Sequence, residues 1–266
     1  MKEGKVLRPL FTPFAYVPLG HKVFLLFFWI IVVILMWQQA GDPVPHPGLV
    51  FNDLYNFCFN NEGEFWQNLG TSLILTLKAM VCSIILASIL AYLSVIGFVR
   101  GIVNIFVKVR YMSMMGFMFV FIIMIHSTDT TKLTSMMFGI VPFFALSMLT
   151  VISRIEPCEY DLWTILGFTK WQQVWQIIIK GKLDFLIEAV RTNFAICWIM
   201  ITMVETQVIS DGGLGVLLYK NRRIQDLDKQ FAIQIVIFGL GILFDYLLQQ
   251  SRYKAFPYVK LSEFNK

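Results

Sequence analysis

Apolar residues along the chain gather into six runs separated by polar or charged segments. The first, residues 23–37, carries no charge, and the others lie at 67–96, 111–126, 133–152, 185–207 and 230–249. A helix needs about 20 apolar residues to cross the hydrocarbon core of a bilayer. The runs therefore predict about six transmembrane helices, the first completed by its flanking residues. Pro142 interrupts the fourth run and predicts a kink there. Between the fourth and fifth runs, at about 153–184, lies a stretch of mixed character. Leu162, Ile165 and Leu166 recur at helical spacing, as do Trp171, Trp175 and Ile179. Gly167 separates the two sets and reads as a helix stop. The pattern predicts a short helix, a turn, and a second amphipathic helix with its tryptophans at the membrane surface.

The charges between the runs set an orientation. Residues 1–22 carry Lys2, Lys5, Arg8 and Lys22 against Glu3, whereas 38–66 carry Asp42, Asp53, Glu62 and Glu64 and no lysine or arginine. Short cytoplasmic loops are enriched in lysine and arginine, so the first segment is expected inside and the second outside. Arg100, Lys108 and Arg110 then put the next loop inside, and the link from His126 to Lys132 falls outside. The stretch at 153–184 returns to the inside with Arg154, Lys170, Lys180 and Lys182. Residues 210–229 fall outside by alternation, although Lys220, Arg222 and Arg223 break the charge rule there. Arg252, Lys254, Lys260 and Lys266 place the C-terminus inside. The domain reading is an N-terminal cytoplasmic segment at 1–22, one transmembrane domain at 23–250, and a cytoplasmic tail at 251–266.

Composition strengthens this picture. The chain is 57% hydrophobic and 15% charged, with a mean hydropathy of +0.68, against about 45–50% and about 25% in soluble domains. The net charge of +5 reads as cytoplasmic-loop lysine and arginine, and no nucleic-acid partner is expected. Cys58, Cys82, Cys158 and Cys197 form no CxxC or Cys/His cluster, which gives no support to a metal site or a disulfide framework. Met112, Met114, Met115 and Met118 read as a packing surface rather than a copper site. His21, His46 and His126 are scattered, and neither HExxH nor GxSxG is present. Asp211-Gly212-Gly213-Leu214-Gly215 lacks the Lys-Ser/Thr of a nucleotide loop and reads as a glycine-permitted turn. The chain is expected to be no enzyme, to bind no cofactor, and to carry no ATPase motif.

The stretch at 153–184 resembles the cytoplasmic loop of ABC-importer membrane subunits, of the form E-A-A, three residues, G, nine residues, I-x-L-P. Asp161 stands at the E, Leu162 and Trp163 at the alanines, Gly167 at the glycine, Ile177 and Ile179 at the I and L, and Lys180 at the P. The resemblance widens to the permease subunits of nitrate/sulfonate/taurine-type ABC importers over roughly residues 45–258. It rests on Pro45 and Pro47, the helix opening Asn68-Leu69-Gly70-Thr71-Ser72-Leu73, Pro142, Arg191, Glu205, Gly213-Leu214-Gly215 and Asp245. The third run departs from that group, reading Tyr111-Met112-Ser113-Met114-Met115-Gly116 in place of a proline-containing opening.

The resemblance implies an all-α membrane protein with the type I ABC importer permease fold and a cytoplasmic coupling helix. That helix would span about 159–170 and engage an ATPase dimer through Glu159, Asp161, Leu162, Trp163, Leu166, Gly167, Phe168, Thr169 and Lys170. ATP and Mg would be bound by that partner. A second permease subunit, identical or related, and an external solute-binding protein are implied as well. The expected location is the bacterial inner membrane, with both termini cytoplasmic. The solute would be a small anion such as a sulfonate or nitrate, or a small heterocyclic metabolite. Leu162 and Trp163 in place of alanines imply a wider or more apolar socket on the ATPase. A second reading stays open, in which the chain is a non-transporting scaffold recruiting a cytoplasmic partner through the same helix.

Four ionisable residues in the runs need an account, because such residues in hydrocarbon are costly. Lys78 lies about 15 Å down the second helix from Asn68 and either attracts an anionic solute or pairs within the bundle. Glu205 lies at an outer gate or pairs with Lys220, Arg222 or Arg223. Arg191 and Asp245 both lie toward the cytoplasmic side and are expected to pair.

Overall fold

The computed structural model describes residues 19–39, 41, 44–60, 64–209 and 212–258. Most of the expected N-terminal segment, the end of the tail, and Asp211 lie outside the described residues. Eleven helices are numbered here in chain order. They are α1 (Leu19–Gln39), α2 (Pro47–Phe59), α3 (Phe65–Leu93), α4 (Gly97–Val107), α5 (Met114–Met124) and α6 (Thr128–Ser153). Then come α7 (Pro157–Ile165), α8 (Lys170–Gln173), α9 (Leu183–Gln207), α10 (Leu214–Arg223) and α11 (Leu227–Ala255). A 3-10 turn, Lys108–Tyr111, extends α4, and a π-helical turn, Val174–Lys180, extends α8.

Among the described residues, four helices are long and apolar enough to cross a membrane: α3, α6, α9 and α11. The 29 residues of α3 and of α11 span about 43 Å at 1.5 Å per residue, more than the roughly 30 Å hydrocarbon core. The expected third span departs from this pattern. α5 has 11 residues, about 16 Å, and meets the α4 segment at a 104° bend. The run at 111–126 is therefore not a span by itself. Lys108 and Arg110 in the extension of α4 cannot run straight into hydrocarbon, and the chain turns after them. Counting this bent pair as one span gives five among the described residues, against about six expected; the apolar part of α1, Val23–Gln39, is shorter than a span needs.

α6 is the central element, packed against α3, α4, α5 and α9. Half of its most apolar 18 residues are buried, against 17% for α11, so α11 lies at the periphery. α3 buries Ser72, Thr76, Ala79, Ser83, Ala87 and Ala91, spaced three or four residues apart. This small-residue seam lets backbones approach closely, which drives helix association where lipid removes the hydrophobic contrast. Pro142 is buried in the interior of α6. Trp198 of α9 donates its indole N–H to the Ile237 carbonyl of α11 at 2.8 Å. α2 packs along α11, and Trp37 at the end of α1 donates to the Pro45 carbonyl at 2.9 Å.

Candidate functional site: a projecting helix pair and a buried turn

α7 begins with Pro157, whose fixed φ suits the first helical position, and carries Glu159 in its first turn, where the helix dipole favours an acid. It ends where Gly167 adopts φ +79°. The Gly167 N–H bonds to the Thr164 carbonyl at 3.0 Å and the Phe168 N–H to the Trp163 carbonyl at 3.1 Å. This is the double bond of a Schellman cap, which is accompanied by an apolar contact across the turn. Trp163 and Phe168 supply that contact, edge to face with ring centroids 4.7 Å apart. Trp163, Gly167 and Phe168, expected to meet an ATPase, thus build the turn. Thr169 then opens α8 with a capping box, its N–H bonding to Gln172 Oε1 at 2.8 Å.

The pair is fastened to the bundle. Gln173 is buried and donates to Thr164 Oγ1 at 2.9 Å and to the Phe168 carbonyl at 3.2 Å. Lys182 Nζ lies 3.2 Å from Glu159 Oε1. Beneath, Ile155, Ile177 and Ile178 form a small apolar core against Tyr92, Tyr160, Trp163 and Val174. The second helix departs from the expected form: it is α-helical only over Lys170–Gln173 and π-helical from Val174 to Lys180. The Gly181 N–H closes that turn on the Gln176 carbonyl at 2.9 Å. A Cβ on Gly181 would lie 2.6 Å from the Ile177 carbonyl oxygen, so the turn needs glycine.

Three large apolar side chains at the end of α7 point away from the protein: Leu162 is 57% exposed, Ile165 83% and Leu166 60%; on the second helix Trp171 and Trp175 are exposed as well. Asp161, Thr169 and Lys170 are exposed around them. Ile165 is the most exposed of these yet was not among the residues expected to couple, because spacing alone does not separate an outward apolar residue from a core one. The pKa of the exposed Cys158 thiol is raised, first by its hydrogen bond to Glu156, then by partial desolvation, and last by the neighbouring carboxylates.

On α9 and α11 the structure brings Arg191 and Asp245 together as a two-pronged pair, Nε to Oδ1 at 2.7 Å and Nη2 to Oδ2 at 2.9 Å. Glu188 joins the cluster through Arg252 Nη1 at 2.8 Å. Lys78 is exposed on α3 beside a cavity of about 280 Å³ that Thr71, Asp129, Thr130 and Lys132 also line. Among the described residues Lys78 forms no ion pair.

Glu205 does not make the expected pair with a basic residue of α10. It is fully buried and, among the described residues, forms no ion pair with Lys220, Arg222 or Arg223. Its Oε1 accepts from Ser72 Oγ at 2.6 Å and its Oε2 from the Gly215 N–H at 2.8 Å. Ser72 Oγ in turn accepts the Leu214 N–H at 2.8 Å, and Asn68 Oδ1 accepts the Gly213 N–H at 2.7 Å. Three of the free N–H groups at the start of α10, those of Gly213, Leu214 and Gly215, are thereby satisfied. Buried Lys132 supplies the countercharge. Gly213 has φ +125°, and a Cβ there would lie 2.3 Å from the Glu205 carboxyl carbon. Sequence reasoning missed Lys132, which reads as part of a polar outer link.

Comparison with known proteins agrees with this architecture. The model of the family described as "Binding-protein-dependent transport system inner membrane component" matches residues 79–251. A solved structure titled "Crystal structure of an amino acid ABC transporter with histidines" superposes with a TM-score of 0.59 at 14% identity, covering 74% of this chain and 95% of that one. A search of the curated proteins found no match. The matched segment runs from the middle of α3 to near the end of α11 and contains the projecting pair, the Arg191–Asp245 pair, and Lys132, Glu205 and Gly213–Gly215 of the buried turn, while Asn68, Ser72 and Arg252 lie outside it. The chain belongs to the binding-protein-dependent transport system inner membrane components, the multi-pass permease subunits of ABC transporters.

Proposed function

We propose that the chain is a transmembrane subunit of an ATP-driven importer, seated in a bacterial cytoplasmic membrane with both termini inside. Two permease subunits, identical or related, form the solute pathway, and an external binding protein delivers the solute. A cytoplasmic ATPase dimer grips each chain through α7 and the turn that follows. The observation that carries this reading is the ridge of Leu162, Ile165 and Leu166, held out on a capped and stapled helix. Large exposed apolar side chains on a rigid support outside the spanning helices have a physical use when a partner covers them. The Schellman cap and the Gln173 staple make α7 a lever, so that its displacement moves the π turn and, through Lys182, the start of α9. Rigid-body movement of this kind is what alternating access requires.

Leu162 and Trp163 have different consequences for the ATPase. Trp163 faces the turn, so a wider socket is required by Leu162, Ile165 and Leu166 instead. Purification of the full chain from its native membrane should recover an ATPase bearing nucleotide-binding motifs, and Gly167→Pro should abolish uptake. Purification without any ATPase, together with unchanged uptake in Gly167→Pro, would leave the scaffold reading in its place.

A further inference from the structure

The groove between α9 and α11 holds a cavity of about 570 Å³ on the side of α9 away from Glu205, reaching α10 and the tip of α5. Its size falls within the range of small-molecule sites. Thr202, Thr206, Gln207, Gln230, Gln234 and Arg222 give it a polar wall. Met115, Met203 and Leu218 give it an apolar one. Gln230 and Gln234 stand one turn apart on α11, a helix long and apolar enough to span a membrane. Amides on a spanning helix are costly against lipid and mark a water-filled or protein-covered face.

Arg222 is the sole charged residue lining the cavity among the described residues, and it forms no ion pair there. It belongs to the basic cluster at the end of α10 that breaks the charge rule for an outer segment. The Thr202 and Thr206 hydroxyls donate to the Ile199 and Met203 carbonyls at 2.8 and 2.7 Å. Donors left for a guest are therefore the guanidinium, the glutamine amides and the Tyr219 hydroxyl. Gln234 also lines a second cavity of about 440 Å³ that ends at Arg191 and Asp245, so the groove continues toward the cytoplasmic side.

We propose that this cavity is a solute site for a small molecule bearing an anionic group. Arg222 takes the carboxylate, sulfonate or phosphate oxygens, the glutamine amides take neighbouring polar atoms, and the methionine wall takes an apolar part. Guanidinium suits such oxyanions because its paired N–H groups match their geometry. The proposal rests on the importer reading for its orientation and for the second subunit that closes the open side.

The test is charge-selective labelling, which needs no ATPase, so that failed coupling and a failed site are told apart. Thr206→Cys is introduced into the full chain in phosphatidylcholine nanodiscs. It is reacted with anionic 2-sulfonatoethyl or cationic 2-(trimethylammonio)ethyl methanethiosulfonate, and modification is read at that peptide by mass spectrometry. Rates are normalised to a small free thiol. The anionic reagent should be favoured on the order of tenfold by one nearby cation in a partly dewatered cavity. Arg222→Gln should abolish that preference and Arg222→Lys should keep it. Gln230→Cys provides a second position with the same expectation if Thr206→Cys fails to fold. Equal normalised rates for the two reagents, or a preference that survives Arg222→Gln, would overturn the proposal. Protection of the cysteine by added phosphatidylglycerol would also overturn it, by assigning the cavity to a lipid headgroup.

Discussion

The two ends of this molecule solve opposite problems. At the α9–α10 turn, Glu205, Ser72 and Lys132 are buried, and the N–H groups of Gly213, Leu214 and Gly215 all have acceptors. At α7 the backbone is just as carefully capped, yet Leu162, Ile165 and Leu166 stand exposed. Both turns are closed by hydrogen bonds, and the difference lies in what the apolar surface touches. One end covers its apolar surface within the chain, and the other leaves it exposed. Stability should therefore depend on the first, and assembly on the second.

The largest stability effect is expected at Gly213→Val. It combines an unfavourable φ with a Cβ inside the Glu205 carboxylate, and should cost on the order of 3–5 kcal/mol. Thermal unfolding of the detergent-solubilised chain reads this, and an unchanged midpoint would mean that the turn is not rigid. Glu205→Leu comes next. It strands the Ser72 hydroxyl, the Gly215 N–H and the Lys132 charge, and should cost roughly 3 kcal/mol. Adding Ser72→Ala should cost less than the sum of the two changes, because they belong to one network.

At the other end the same chemistry should matter less for folding. Trp163→Ala removes the contact across the α7 cap and part of a small core, for roughly 1–2 kcal/mol. A loss as large as that at Gly213 would erase the contrast between the two ends. The smallest effect concerns Cys158, whose raised pKa comes first from its bond to Glu156. A raised pKa keeps the thiol protonated at neutral pH, so alkylation should be slower there than for a free cysteine and should rise at higher pH. Glu156→Gln should speed it at neutral pH, and a pH–rate profile unchanged by that substitution would contradict the assignment.

The α7 turn was legible in the sequence because its cause is local. Gly167 is the one glycine between two helical patterns, and Trp163 and Phe168 flank it at the spacing a cap uses. The outer turn was not legible in the same way. Ser72 and Glu205 are 133 residues apart, and nothing local distinguishes Lys132, buried beneath the turn, from a solvated loop lysine. The bend between α4 and α5 escaped for a related reason. The apolar run at 111–126 is continuous, and hydropathy registers neither a turn at Met112 nor a length of 11 residues. That Ile165 faces outward while Trp163 packs into the turn was not legible, because helical spacing gives a face but not which way it points.

The most direct test is the double substitution Ile165→Asp with Leu166→Asp, followed by two readings on one sample. Both side chains are solvent-facing, so the unfolding midpoint should stay within about 0.5 kcal/mol of the parent protein. The amount of ATPase recovered with the full chain should fall to background. An ATPase that remains bound at parental stoichiometry, with solute uptake intact, would contradict the account.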